Sequence, residues 1–243
     1  MFDYFRFSLP RAVTEQLVER LDKLTSSALT DEALAALSAF QKESKTAQGV
    51  YVIYLGKKAT YAGKAQKVAE RLGKHLLKLR GRQKVDMEKV AYKALLLDEN
   101  WSTSANEGLL ITHFKDRGEC EWNGSGFGPK DTGKNRDDTI PNKFDNGFPV
   151  RDDFPLTDIP DVSTVGMVLA QIKKQVPFLV RYQTLGDAAS TSLDLSGVPR
   201  TARAIATCAA RALGKSWQLM LFKNSITLYR ANKSYANGTQ LFP

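Results

Sequence analysis

Cysteine is nearly absent. Cys120 and Cys208 are the only two in 243 residues and stand far apart, which excludes a disulfide-stapled scaffold or a cysteine-built zinc site and fits a reducing compartment. No long unbroken apolar run occurs, so a membrane-spanning helix is not expected. Met1–Pro10 lacks the apolar core and small-residue cleavage site of a secretory leader. The expectation is a soluble cytoplasmic protein with no membrane partner. Acidic residues are short too, 26 against 35 basic, for a net charge of +9. Ordinary levels of hydrophobic (42%) and charged (25%) residues exclude a disordered or low-complexity chain. The length suits one elaborated domain or a domain with a second lobe.

The charge is unevenly spread. Residues 49–97 carry +9 and residues 166–243 carry +8, whereas 98–165 carry −7 and 1–48 carry −1. Basic blocks of this kind lower the cost of approaching a polyanion and release its counterions, so nucleic acid is the favoured partner.

Residues 12–43 read as two amphipathic helices, the first with Val13, Leu17, Leu21 and Leu24 on one stripe. The second starts at a Thr30-Asp31 cap and carries Leu34, Leu37 and Phe40. Strands are expected at 49–55 and 60–62 around a glycine-bearing turn, followed by a helix over 66–80 with Val68, Leu72, Leu76 and Leu79 buried. A third strand over 90–97 and a helix over 104–117 come next. From Trp122 to about Pro160 the chain is rich in glycine and polar residues, which suggests a long functional loop. Beyond it, helices are expected at 165–175 and 198–213, and strands at 178–182, 217–222 and 226–230.

Gly49-Val50-Tyr51, then Tyr61-Ala62-Gly63, then a helix bearing Arg71 and, one turn later, His75 form an ordered series. Glu107 follows on a helix after the third strand, and Asn123 opens the glycine-rich segment. This series resembles the GIY-YIG nuclease superfamily, and its type II restriction-endonuclease branch in particular. The resemblance spans roughly residues 49–185. Ala62 departs from it, standing where a larger apolar residue is usual.

Each residue type suits phosphodiester hydrolysis. Mg²⁺ commonly binds through one or two carboxylates plus substrate phosphate, so Glu107 alone suffices as metal ligand. Arg71 offers permanently charged planar donors to a phosphate gaining charge. His75 belongs to the residue type that exchanges protons near neutrality. By resemblance, Tyr51 orients or deprotonates the attacking water with help from His75. Tyr61 orders water or phosphate, Lys64 contacts phosphate, and Asn123 positions phosphate or water. Lys74, Lys78 and Arg82 belong to a basic run expected to track the DNA backbone, while Lys130, Lys134 and Arg136 are candidates for groove readout. Tyr54, Tyr92 and His113 read as packing residues.

The expected fold is α+β: a GIY-YIG core over 49–185, built on a small antiparallel sheet with helices. An N-terminal helical extension (1–48) and a C-terminal α/β extension (186–243) flank it. The resemblance implies a Mg²⁺-dependent, site-specific endonuclease acting on double-stranded DNA, with any cognate methyltransferase a separate enzyme. Cutting both strands suggests a homodimer, for which the apolar 198–213 helix and 217–222 strand offer an interface. A repair or mobile-element GIY-YIG nuclease and a non-cleaving DNA-binding module are the alternatives.

Overall fold

Pro10 stands in the first turn of helix α1 (Leu9–Lys23), where a missing N–H costs little. Thr30 caps α2 (Asp31–Glu43) by accepting from the Ala33 N–H, and Asp31 and Glu32 in its first turn favour the positive helix end. Between them lies the two-residue strand β1 (Ser27–Ala28). After α2 come β2 (Gly49–Leu55), β3 (Lys58–Ala65), α3 (Val68–Arg80), β4 (Val90–Leu96) and α4 (Asn106–Asp116). The computed structural model describes residues 8–97, 106–128, 133 and 137–243.

The chain divides into two compact units, Met1–Leu77 with Asp86–Gly128, and Lys78–Val85 with Pro129–Pro243. The expected boundaries at 48/49 and 185/186 are therefore corrected. The N-terminal helices share a core with the hairpin, and 129–185 packs with the C-terminal residues.

In the first unit the sheet order is β1-β4-β2-β3, all antiparallel, with β2 in the middle. Alternation sorts its side chains. Val50 and Val52 join Val18 and Leu21 of α1 and Leu110 and Phe114 of α4 in one cluster. Tyr51 and Ile53 face the other way, toward α3, whose Val68, Leu72, Leu76 and Leu79 are all buried. On that side α2 is tied to the sheet by Tyr92 Oη donating to the Ala33 carbonyl. Phe40, expected on the buried stripe of α2, is instead 54% exposed, and Leu34 fills the core position.

The second unit contains α5 (Lys143–Gly147), β5 (Val162–Thr164), α6 (Val165–Gln175), β6 (Leu179–Tyr182), β7 (Ser192–Asp194), α7 (Ala202–Leu213), β8 (Trp217–Phe222), β9 (Ser225–Arg230) and β10 (Gly238–Phe242). Its main sheet runs β10-β8-β9-β6, antiparallel except for the β6/β9 pair. Trp217, Leu219, Ile226 and Leu228 bury one face of it in a cluster with Ile172 of α6 and Ile205 and Ala209 of α7. The apolar faces of α7 and β8 are thus consumed inside their own unit. The ground for placing a dimer interface there is gone.

The acidic stretch is held down by its own aspartates. Asp137 pairs with Arg181 and accepts from Tyr229 Oη at 3.0 Å. Asp138 accepts from the backbone N–H groups of Ala236 and Asn237. Asp145 pairs with Arg82 at 2.7 Å, and Asp152 meets Gln83 and Arg203. Asp161 pairs with Arg200. The architecture is α+β, and among the described residues no helix is long and apolar enough to cross a membrane.

Candidate active site

Tyr51 pairs with Gly63 across the β2/β3 ladder, and Tyr61 pairs with Ile53 on the same face. Gly63 has a steric reason: a Cβ there would sit 2.6 Å from Tyr51 Oη. The phenol lies directly over the glycine. Gly49 has another, since a Cβ there would come within 2.2 Å of the Leu95 carbonyl oxygen on β4.

α3 then lays its buried stripe across this face. His75 lies beside Leu72, Leu76 and Leu79 on the inner side and is only 4% exposed. Its Nε2 is 3.0 Å from Tyr51 Oη, and its ring centroid is 5.1 Å from that of Tyr61. Arg71, one turn earlier on the same helix, is partly buried, and its charge and the two phenols act on one another. Where Tyr51 donates to His75, Nε2 is the unprotonated imidazole nitrogen. Burial is the main cause pushing the Tyr51 phenol well above the usual tyrosine range, with Tyr61 adding and Arg71 opposing. Tyr51 rests as a neutral phenol.

Glu107 extends the inner stripe of α4 one turn beyond Leu110 and Phe114. It is half-buried, makes no ion pair among the described residues, and its charge acts on Tyr51. No group of three or more His, Cys, Asp or Glu side chains gathers among the described residues. Glu107 stands as a single carboxylate on α4, and one carboxylate suits a cation that keeps most of its waters.

The segment after α4 zips along the outer edge of β3. Cys120 N–H donates to the Ala59 carbonyl and Trp122 N–H to the Thr60 carbonyl. Asn123 then accepts from Ala62 N–H at 2.9 Å and donates to the Ala62 carbonyl at 2.8 Å. This corrects the expected role of Asn123: both ends of its amide are bound to backbone, so it anchors the segment instead of presenting a free donor to phosphate. The same segment delivers Phe127, which the sequence did not single out, against His75. The two rings stack 4.8 Å apart at 15°. Only the Gly-Phe-Gly run in the loop could have signalled it.

The basic residues divide. Lys67, Arg71 and Lys74 line a shallow depression of about 340 Å³ together with Ala65, Gln66 and Glu70. Lys64 is half-buried at the end of β3, and Lys78 lies over the Phe144 ring. Arg82 is a correction: it is buried, donates to Asp145 and to the carbonyls of Phe148 and Lys223, and cannot contact a phosphate. Lys130, Lys134 and Arg136 lie outside the described residues. His113 packs edge-on against Phe114, and Tyr92 binds backbone, as packing residues do.

No family model matches the chain, and no curated protein matches it.

Proposed function

We propose that this chain is a Mg²⁺-dependent, site-specific endonuclease of double-stranded DNA, organised like the GIY-YIG restriction enzymes and working as a homodimer. The carrying observation is the hydrogen bond between Tyr51 and His75 and the mutual ring contacts of Tyr51, Tyr61 and His75, with Arg71 one turn before His75 on α3 and Glu107 on α4. These five residues are spread over 57 positions of chain, from 51 to 107. Packing alone does not require a buried histidine to hydrogen-bond one phenol while its ring lies against a second.

The chemistry follows from proton positions. A water attacking the phosphorus gives its proton to the Tyr51 oxygen as the Tyr51 proton passes to His75 Nε2, while the opposite P–O ester bond breaks and its leaving oxygen takes a proton from solvent. Tyr51 therefore never has to exist as a phenolate, which its buried setting disfavours. Arg71 faces the charge that grows on the phosphoryl oxygens. Tyr61, whose ring lies against Tyr51 and His75, orders water or phosphate. Glu107 would hold Mg²⁺, which supplies charge neutralisation at the phosphate when bound. Lys67 and Lys74 line the depression that holds Arg71, and with Lys64 at the end of β3 they suit the flanking backbone.

Incubation with mixed plasmid and phage DNA, with Mg²⁺ and with excess chelator, tests the proposal. Discrete fragments are expected only with free metal. Sequence-independent smearing, activity that survives chelation, or retarded but uncut DNA would each reject it, the last in favour of a binding module.

A further inference from the structure

An imidazole on a helix can turn about two side-chain bonds, and a ring packed face to face on it limits that rotation. Phe127 lies face to face on the His75 ring, and its other contacts leave it little freedom. Its edge meets Tyr61 at 5.0 Å and Trp122 packs on it at 4.9 Å. Phe127 is 1% exposed, so one face of the His75 ring is covered by an apolar ring that water does not reach. The ring is held there by the hydrogen bonds that zip Cys120–Asn123 onto β3, so its position is tied to the strand that carries Tyr61.

We infer that Phe127 is a positioning residue for His75, fixing the imidazole plane in which Nε2 accepts the Tyr51 proton and keeping water off that face of the ring. The inference rests on the proposed nuclease reading for its purpose, but its geometry is testable apart from catalysis. Two features of the sequence make that practical. His75 and His113 are the only histidines, and both lie in the first unit.

The experiment is nitrogen-15 NMR of histidine-labelled full-length protein at neutral pH, with a His113→Gln variant for assignment, run beside single-site DNA cleavage with Mg²⁺. In the unaltered protein, His75 should show one tautomer, with Nε2 the unprotonated nitrogen and Nδ1 carrying hydrogen. In Phe127→Leu, which keeps an apolar filler but has no ring face, the two nitrogen shifts should converge. There kcat should fall by roughly ten- to a hundredfold with KM little changed. Phe127→Tyr, which keeps the face, should preserve both the tautomer and most of kcat. Unchanged His113 signals report that the unit is folded. If Phe127→Leu loses them, Phe127→Met takes its place.

A wild-type spectrum with hydrogen on Nε2 would overturn the inference without any variant. So would a Phe127→Leu protein with unaltered His75 shifts, or one with converged shifts and undiminished kcat. Failure of the nuclease reading looks different: the expected tautomer and its response to Phe127→Leu would be present, but the unaltered protein would cut no DNA.

Discussion

Tyr51 is the residue on which the proposed chemistry turns, and its burial decides how it can act. With its phenol held above the ordinary tyrosine range, chiefly by desolvation, it serves as a conduit for a proton and not as a resting base. The acceptor is then His75, and an imidazole accepts only when unprotonated. His75→Ala should therefore lower kcat by roughly 10²–10⁴ with KM little changed, measured by single-turnover cleavage with Mg²⁺. Arg71→Ala should cost about 3–4 kcal/mol of transition-state stabilisation, read as a rate loss of roughly 10²–10³. Glu107→Ala should abolish cutting while gel-shift affinity for DNA stays close to normal, because the carboxylate contributes nothing to the basic surface. Near-normal turnover in either variant would remove that residue from the site.

At the scale of elements, two close fits carry the arrangement. Gly63→Ala would drive a methyl group into the Tyr51 phenol, and neither β3 nor the ring packed under α3 has space to yield. The expected cost is about 1–3 kcal/mol in urea unfolding, with loss of cleavage. Asp145→Ala would leave the Arg82 guanidinium buried without its counter-charge, at a cost of about 3–5 kcal/mol. Denaturation followed by Trp217 fluorescence reads that loss in the second unit. The elements that hold the site were legible because their periodicities are strong: the β2–β3 hairpin, α3 and β4 stand within a few residues of where alternation and helical spacing put them. Tyr51, Tyr61, Arg71 and His75 could be placed together because two paired strands and the next helix leave few alternatives. β10 was missed, since Gly238-Thr239-Gln240 has no apolar alternation and owes its extended form to pairing with β8. Arg82 was misjudged for a related reason. Its partner lies 63 residues away, and nothing local distinguishes an arginine bound inward from one facing solvent. Asn123 looked like a free donor because the backbone it binds belongs to a strand that precedes it by 61 residues.

Over the whole molecule, the segregated charge of the sequence is partly neutralised from within. Asp137, Asp145, Asp152 and Asp161 of the acidic stretch meet Arg181, Arg82, Arg203 and Arg200, which takes part of the −7 block up inside the second unit. The cations left around the proposed site are mainly lysines. Replacing Lys64, Lys67 and Lys74 together by alanine should weaken binding to specific and non-specific duplexes alike. It should also flatten the salt dependence by about 0.9 for each phosphate that is no longer neutralised. Fluorescence anisotropy across a salt series measures it, and a selective loss of specific binding would mean that these side chains read bases. The fold has in effect sorted its positive charges by functional group, with guanidiniums clasping carboxylates within the second unit and ammonium groups bordering the depression beside Arg71. Amine-directed acetylation discriminates between the two. It should strip the protein of DNA affinity while its melting transition hardly moves, since exposed lysine ion pairs such as Lys74–Glu70 contribute little to stability. A reagent directed at guanidinium groups should reach Arg71 at once but the enclosed Arg82 and Arg181 clasps only as the second unit opens, then preventing it from closing again.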